Sequence, residues 1–223
     1  MTPAAARASL AALPAAERGR AERIVRPARA DAVALSLALA RRALAATTGL
    51  PAGELRFDRT CARCGHPTHG RPRLVPELVH FSVARSERWA AVAVAPVAVG
   101  VDVEDAGRTV TARDIAPALS AAEREWQGDD LLGLWVMKEA VGKAMALGIV
   151  GAETFSVVAG GDDLTGWRAV DDASGARWSV TRVDVPEAAL AVAVAGEPRP
   201  ISVLGAASAR PRPAPRRPVG RRP

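Results

Sequence analysis

Of the 30 basic residues in this chain only two are lysine, Lys138 and Lys143, and they fall within six residues of each other. An arginine-rich composition can replace lysine wherever a guanidinium will serve, but not where a compact, mobile ammonium is needed. Attention goes first to Trp135-Val136-Met137-Lys138-Glu139-Ala140-Val141-Gly142-Lys143. On a helix Glu139 and Lys143 are four residues apart and share a face with Trp135. They would give a carboxylate to a metal ion and, one turn on, an ammonium to a phosphate. As a plain surface ion pair they would contribute only about 0.5 kcal/mol. Lys138 could reach a second phosphate from the helix flank. Gly142 costs about 1 kcal/mol in a helix interior, which suggests close packing or ligand approach.

Two more carboxylates lie upstream. Val99-Gly100-Val101-Asp102-Val103-Glu104 reads with a period of two. The three valines point to the core, and Asp102 and Glu104 share the opposite face. Residues two apart on a strand are about 7 Å apart, so their side chains can converge on a hard cation such as Mg²⁺, which takes oxygen ligands. The plainer reading is a solvated strand face ending in a turn. Gly100 leaves room beside the strand for something large.

Cys61, Cys64, His66 and His69 place four soft or borderline ligands within nine residues. A structural Zn²⁺ wants four such ligands. Only the first pair has a standard spacing, Cys64 to His66 is cramped, and the second half of a finger is absent. The favoured reading is that His69-Gly70-Arg71-Pro72-Arg73-Leu74 forms a tight turn presenting Arg71 and Arg73 as a phosphate-binding loop would.

The elements that must hold these residues follow from periodicity. A helix is expected over 31–48, capped by Asp31, with Leu35, Leu39 and Leu44 apolar and Gly49 ending it. A loop follows to residue 76. Strands are expected at 89–95 and 97–103, and a helical region at 111–126 with Asp114 and Ser120 as breaks or caps. The strongest helix covers 130–147, capped by Asp129 or Asp130 and ended by Gly148. Strand candidates follow at 154–158, 167–170, 178–183 and 189–195. The order shows no convincing sequence repeat but is compatible with an α+β fold of two similar halves, 1–107 and 108–205. A disordered Pro/Arg-rich tail, 206–223, completes the chain.

Composition bounds the rest. The chain has 223 residues, 49% apolar and 24% charged, enough for a real core. The net charge of +6 is carried by six arginines in residues 210–223; without them the chain holds 24 groups of each sign. The basic balance is therefore no evidence for a nucleic-acid groove across the fold. No apolar run approaches the roughly 20 residues of a membrane span. Two cysteines are too few for a disulfide framework, and no signal-peptide pattern is visible. A soluble cytoplasmic protein is the expectation.

Four segments together resemble the 4'-phosphopantetheinyl transferases of the Sfp/EntD type. They are Cys64-Gly65 with His69-Gly70-Arg71-Pro72; Phe81-Ser82-Val83-Ala84-Arg85-Ser86; Gly100-Val101-Asp102-Val103-Glu104; and Trp135-Val136-Met137-Lys138-Glu139-Ala140 with Lys143. The last two, as a pair, are specific. The resemblance implies a monomer of two similar α+β halves, packed as a pseudo-dimer with coenzyme A in the cleft between them. It implies transfer of the phosphopantetheine arm to a serine of an acyl or peptidyl carrier protein, with no nucleic acid and no membrane involved. Asp102, Glu104 and Glu139 then look like the Mg²⁺ carboxylates, with Glu139 and Lys143 catalytic. Arg71, Arg85, Lys138 and Lys143 look like the coenzyme A contacts. Arg71 stands where the family usually has the lysine of His-Gly-Lys-Pro. Ala84-Arg85 stands where it usually has Ser-His. That departure makes a catalytically impaired coenzyme A or carrier-binding homologue one alternative. A small zinc-dependent nucleic-acid-binding protein, built on Cys61 to His69 and the arginine tail, is another. The 4% aromatic content, with no tyrosine, leaves it few stacking platforms.

Overall fold

The helix expected from Asp31 begins four residues earlier, at a proline. The computed structural model describes residues 8–61, 64–125, 129–147, 151–159 and 166–204, apart from 9 and 12. In it α1 spans Ala15–Glu22 and α2 spans Pro27–Thr48, so Asp31 lies inside α2 and does not cap it. Proline suits a first helical turn because its missing N–H would find no partner there and its φ is already helical. The far end is as expected: Gly49 takes φ +75° and its N–H donates to Ala45 O at 2.9 Å. Leu13 and Ala21 pack α1 and its approach against Val33 and Ala34 of α2.

The stretch from Pro51 to Pro76 holds two short strands, β1 (Arg56–Asp58) and β2 (Arg73–Val75), paired antiparallel with Phe57 opposite Leu74. Three residues are too few to show a period. Both strands are fixed by tertiary packing, with Leu55, Leu74 and Phe81 around Leu44 of α2. β3 (His80–Arg85) and β4 (Ala90–Ala95) form an antiparallel hairpin under α2.

β5 (Val99–Asp105) leaves that hairpin for another sheet. It pairs with β9 (Ala188–Ala195), placing Asp102 opposite Ala191. β6 (Phe155–Ala159), β7 (Trp167–Asp171) and β8 (Arg177–Val185) complete an antiparallel sheet in the order β5-β9-β8-β7-β6. A strand from before residue 107 is thus an edge of the sheet built from the later residues. The helix expected over 111–126 is broken into pieces. α3 is only Ala112–Ile115, closed by a reciprocal Thr111–Asp114 cap. Pro117, which cannot continue the hydrogen-bond ladder, opens a 3-10 turn over Ala116–Ala118, and a second turn covers Glu123–Glu125.

α4 (Leu131–Ala144) lies on β5, β9 and β8. Asp130 caps it, accepting from Gly133 N at 2.7 Å. It ends before the expected Gly148, which lies outside the described residues along with the tail. Leu134, Val136, Met137, Ala140 and Val141 build the main core with Phe155, Val180, Ala191 and Ala193. Among the described residues no helix is long and apolar enough to cross a membrane.

Candidate active site

A Cβ on Gly100 would stand 1.9 Å from Ala140 O and 2.5 Å from Ala144 N. The room that this glycine leaves is filled by α4, whose backbone rests directly on β5. That contact also changes the reading of the strand. Val99, Val101 and Val103 are buried as expected, but Asp102 on the other face is only 6% exposed. The carboxylate face is a seam between β5 and α4, and not a solvated face.

Across the seam α4 presents Trp135, Glu139 and Lys143, the partly exposed stripe of an otherwise buried helix. Lys143 Nζ lies 2.5 Å from Asp102 Oδ1, while Asp102 Oδ2 is buried without a hydrogen-bond partner. Burial pushes both the Glu139 and Glu104 carboxyls above the usual range, and the Asp102 charge pushes the same way. Lys143 and Arg108 oppose the rise in both. Arg108 pairs with Glu104 and stacks its guanidinium 5.2 Å from the Trp135 ring centroid. Sequence reasoning missed Arg108; its spacing of four from Glu104 is the only signal it gives.

This donor set suits a hard divalent cation. It has three carboxylates, one with an orphaned buried oxygen, in surroundings that raise two of their proton affinities. Among the described residues, the group of metal-type ligands already drawn together is Cys61, Cys64 and His69, and not these three carboxylates. The ammonium of Lys143 and the guanidinium of Arg108 neutralise two of them.

A pocket of about 1140 Å³ opens beside the seam, between α1, α2, β1 to β3 and the end of α4. Lys143 lines it, as do Arg20, Arg59, Arg71 and Arg85. Arg85 is at the exposed end of β3, with Nη1 3.3 Å from Ser36 Oγ. Desolvation, then Arg20 and Arg29, pull its pKa below the ordinary arginine value. Desolvation, Arg20 and Arg85 lower Arg59 to about 10. Cations crowded enough to depress one another make a region that attracts anions. Arg20 and Arg59 were not singled out from sequence. Nothing local marks them among so many arginines, and only the fold brings them to Arg85.

Two expected coenzyme A contacts have other employment. Arg71 lines the pocket, yet its Nη1 donates to Lys143 O and Ala144 O at 2.9 and 3.1 Å, and its Nη2 to Phe81 O and Val99 O, each at 3.2 Å. It ties the end of α4 to β3 and β5, with its charge at the negative end of the helix dipole. A lysine, with its donors on one nitrogen, could not span these four carbonyls. Lys138 is not brought to the cluster at all. It is fully buried on the core side of α4, bonded to Glu123 Oε2 at 2.5 Å and Phe155 O at 2.7 Å, and 4.3 Å over the Phe155 ring. A helix turns about 100° per residue, so adjacent Lys138 and Glu139 face different sides. Glu123 also accepts from Val157 N at 2.6 Å, so this pair holds β6 to α4.

Ligand atoms of Cys61, Cys64 and His69 all lie within 4.8 Å of one another. Ala84, the other departure from the family pattern, is buried beside Trp89 in a small core, where a serine hydroxyl would need a partner.

No protein-family model matches the chain, and no curated protein matches it significantly.

Proposed function

We propose that this chain is a Mg²⁺-dependent 4'-phosphopantetheinyl transferase, acting from coenzyme A onto a serine of an acyl or peptidyl carrier protein. One observation carries the reading: Lys143 borders both the seam of Asp102, Glu104 and Glu139 and the arginine-lined pocket. A substrate with a pyrophosphate at one point and a phosphorylated nucleoside beyond it matches a carboxylate–ammonium cluster that opens into a cationic pocket. The volume, about 1140 Å³, is ample for a nucleotide cofactor.

The chemistry needs alignment and charge compensation more than covalent help. The serine oxygen bonds to the phosphorus that bears the pantetheine arm. The bond from that phosphorus to the bridging oxygen breaks, and 3',5'-adenosine diphosphate leaves with the electron pair. Asp102, Glu104 and Glu139 would hold Mg²⁺, which when bound supplies neutralising charge at the pyrophosphate. Lys143, freed from Asp102 by the arriving phosphates, stabilises charge on the leaving group. Arg59, Arg85 and Arg20 hold the nucleotide end. Glu139, whose proton affinity burial raises, is the group assigned to take the serine proton. Arg71 and Lys138 position: one fixes the end of α4, the other its core face.

The test is the intact mass of an apo carrier protein incubated with the chain, coenzyme A and Mg²⁺. The reading expects a gain of one phosphopantetheine that is lost with EDTA and in Glu139→Gln. A folded chain that binds coenzyme A but modifies none of several carriers would point to the impaired homologue.

One observation favours a second reading, the zinc-dependent nucleic-acid-binding protein: the Cys61, Cys64 and His69 cluster is a plausible metal site by its donor types and distances. Its nucleic-acid half rests on the arginines of residues 210–223, which lie outside the described residues. Retention of a short duplex or single strand by the full chain at physiological salt, lost when residues 206–223 are removed, would support it.

A further inference from the structure

We propose that Cys61, Cys64 and His69 form a Zn²⁺ site that clamps the loop between β1 and β2, independently of the function proposed above. The donors are two thiols and an imidazole, a set that selects Zn²⁺ over Mg²⁺ or Ca²⁺. Their ligand atoms lie within 4.8 Å of one another, and Cys64 Sγ is 3.1 Å from His69 Nε2. Tetrahedral ligands about 2.0–2.3 Å from Zn²⁺ are roughly 3.3–3.8 Å apart. Movements of about 1 Å or less, within reach of side-chain torsions, close the set around an ion.

Two backbone hydrogen bonds hold Cys61 to the residues that follow Cys64. Gly65 N donates to Cys61 O and Cys61 N to His66 O, both at 2.8 Å. Gly65, at φ +70°, makes the reversal that a side chain would strain. With these bonds in place the sulfurs of Cys61 and Cys64 lie within 4.8 Å of each other. His66 stands apart: its ring packs 4.8 Å from that of His69, and its Nδ1 accepts from Thr68 N at 3.3 Å. Cys64 and His69 are exposed, so the fourth position on a bound ion would face solvent, where a water would complete the set.

The clamp has a structural consequence. Gly70 follows His69, and its N–H donates to Arg59 O at 2.8 Å; a Cβ there would meet Arg59 O and Thr60 O at 2.6 Å. Arg59, Thr68, Arg71 and Pro72, all on or beside this loop, line the large pocket. An ion on Cys61, Cys64 and His69 would fix that wall.

The experiment uses the full chain, reduced and stripped of metal, titrated with Co²⁺ and then Zn²⁺. The expected result is one equivalent of Co²⁺ with thiolate charge-transfer bands and the intense visible bands of a tetrahedral ion, displaced by one equivalent of Zn²⁺. Both thiols should then react with a disulfide reagent at least tenfold more slowly. Cys61→Ser, Cys64→Ser and His69→Ala should each lose the bands, and His66→Ala should keep them. Cobalt without charge-transfer bands, or thiols equally reactive with and without Zn²⁺, would overturn the site. Bands that survive in Cys64→Ser would overturn the ligand set. A fold check by circular dichroism on each variant separates loss of ligand from loss of fold.

Discussion

Replacing Gly100 with alanine tests the seam at its tightest point. The new Cβ would lie 1.9 Å from a helix carbonyl, against an ordinary contact of 3.4 Å or more. The obstacle is backbone on both sides, so no rotamer change relieves it. α4 must move away from β5 by about 1.5 Å, the difference between those distances. Overpacking of this kind costs about 3 kcal/mol. For a chain of this size that lowers Tm by roughly 6–12 °C. The same shift carries Glu139 and Lys143 from Asp102 and Glu104, and a misplacement near 1 Å costs on the order of 10²-fold in rate. The assay is carrier modification by intact mass, normalised to folded protein, beside thermal unfolding. Val180→Ala is the control. It removes a buried side chain on β8, two strands from β5, for about 2 kcal/mol, and should leave the normalised rate unchanged. A Gly100→Ala protein with the parent Tm and rate would refute the placement of α4 on β5. Equal loss of rate in both variants would show that general destabilisation is enough.

The other predictions concern charge. Lys138→Met leaves Glu123 buried without its cation and should cost about 3–5 kcal/mol, most of it recovered by adding Glu123→Gln, with transfer per folded molecule unchanged in the pair; a pair that is stable but inactive would place Lys138 back in the site. Arg59→Ala should raise the coenzyme A KM about tenfold or more, as loss of a charge-assisted bond would, and leave the carrier KM alone. The Glu104 and Glu139 carboxyls are raised, so without metal their protonation favours the folded state as pH falls through their pKa values. Mg²⁺ needs the ionised forms. The rise in Tm on adding Mg²⁺ should therefore shrink as pH falls, and begin to do so above the ordinary glutamate value of 4.5. A rise undiminished down to that value would contradict the burial of these groups.

Much of the fold was readable because regular elements have periods. α4, β4, β5 and the four later strands lie where apolar spacing and turn residues put them. What failed was set by contacts distant in sequence. The carboxylate face of β5 reads as solvated until α4 covers it, and no local pattern reports that. Lys138 and Glu139 are neighbours in sequence but face different sides of α4, which a motif treats alike. Both lysines pair with a carboxylate, Lys143 with Asp102 at the seam and Lys138 with Glu123 in the core. Arg20 and Arg59 carry no local signal. Zinc-finger spacing rules argue against the Cys/His segment, yet Cys61, Cys64 and His69 bring their ligand atoms within 4.8 Å of one another, which spacing alone does not report.

The proposed function makes the seam between β5 and α4 a divalent-cation site facing a nucleotide pocket. Its most direct test is a crystal of the chain grown with coenzyme A and Mn²⁺ in place of Mg²⁺, measured for anomalous scattering. The account predicts one strong peak within coordination distance of Asp102, Glu104 and Glu139, with the pyrophosphate beside Lys143 and the adenine end between Arg59 and Arg85. Coenzyme A bound elsewhere, or manganese absent from the three carboxylates while coenzyme A is present, would contradict it.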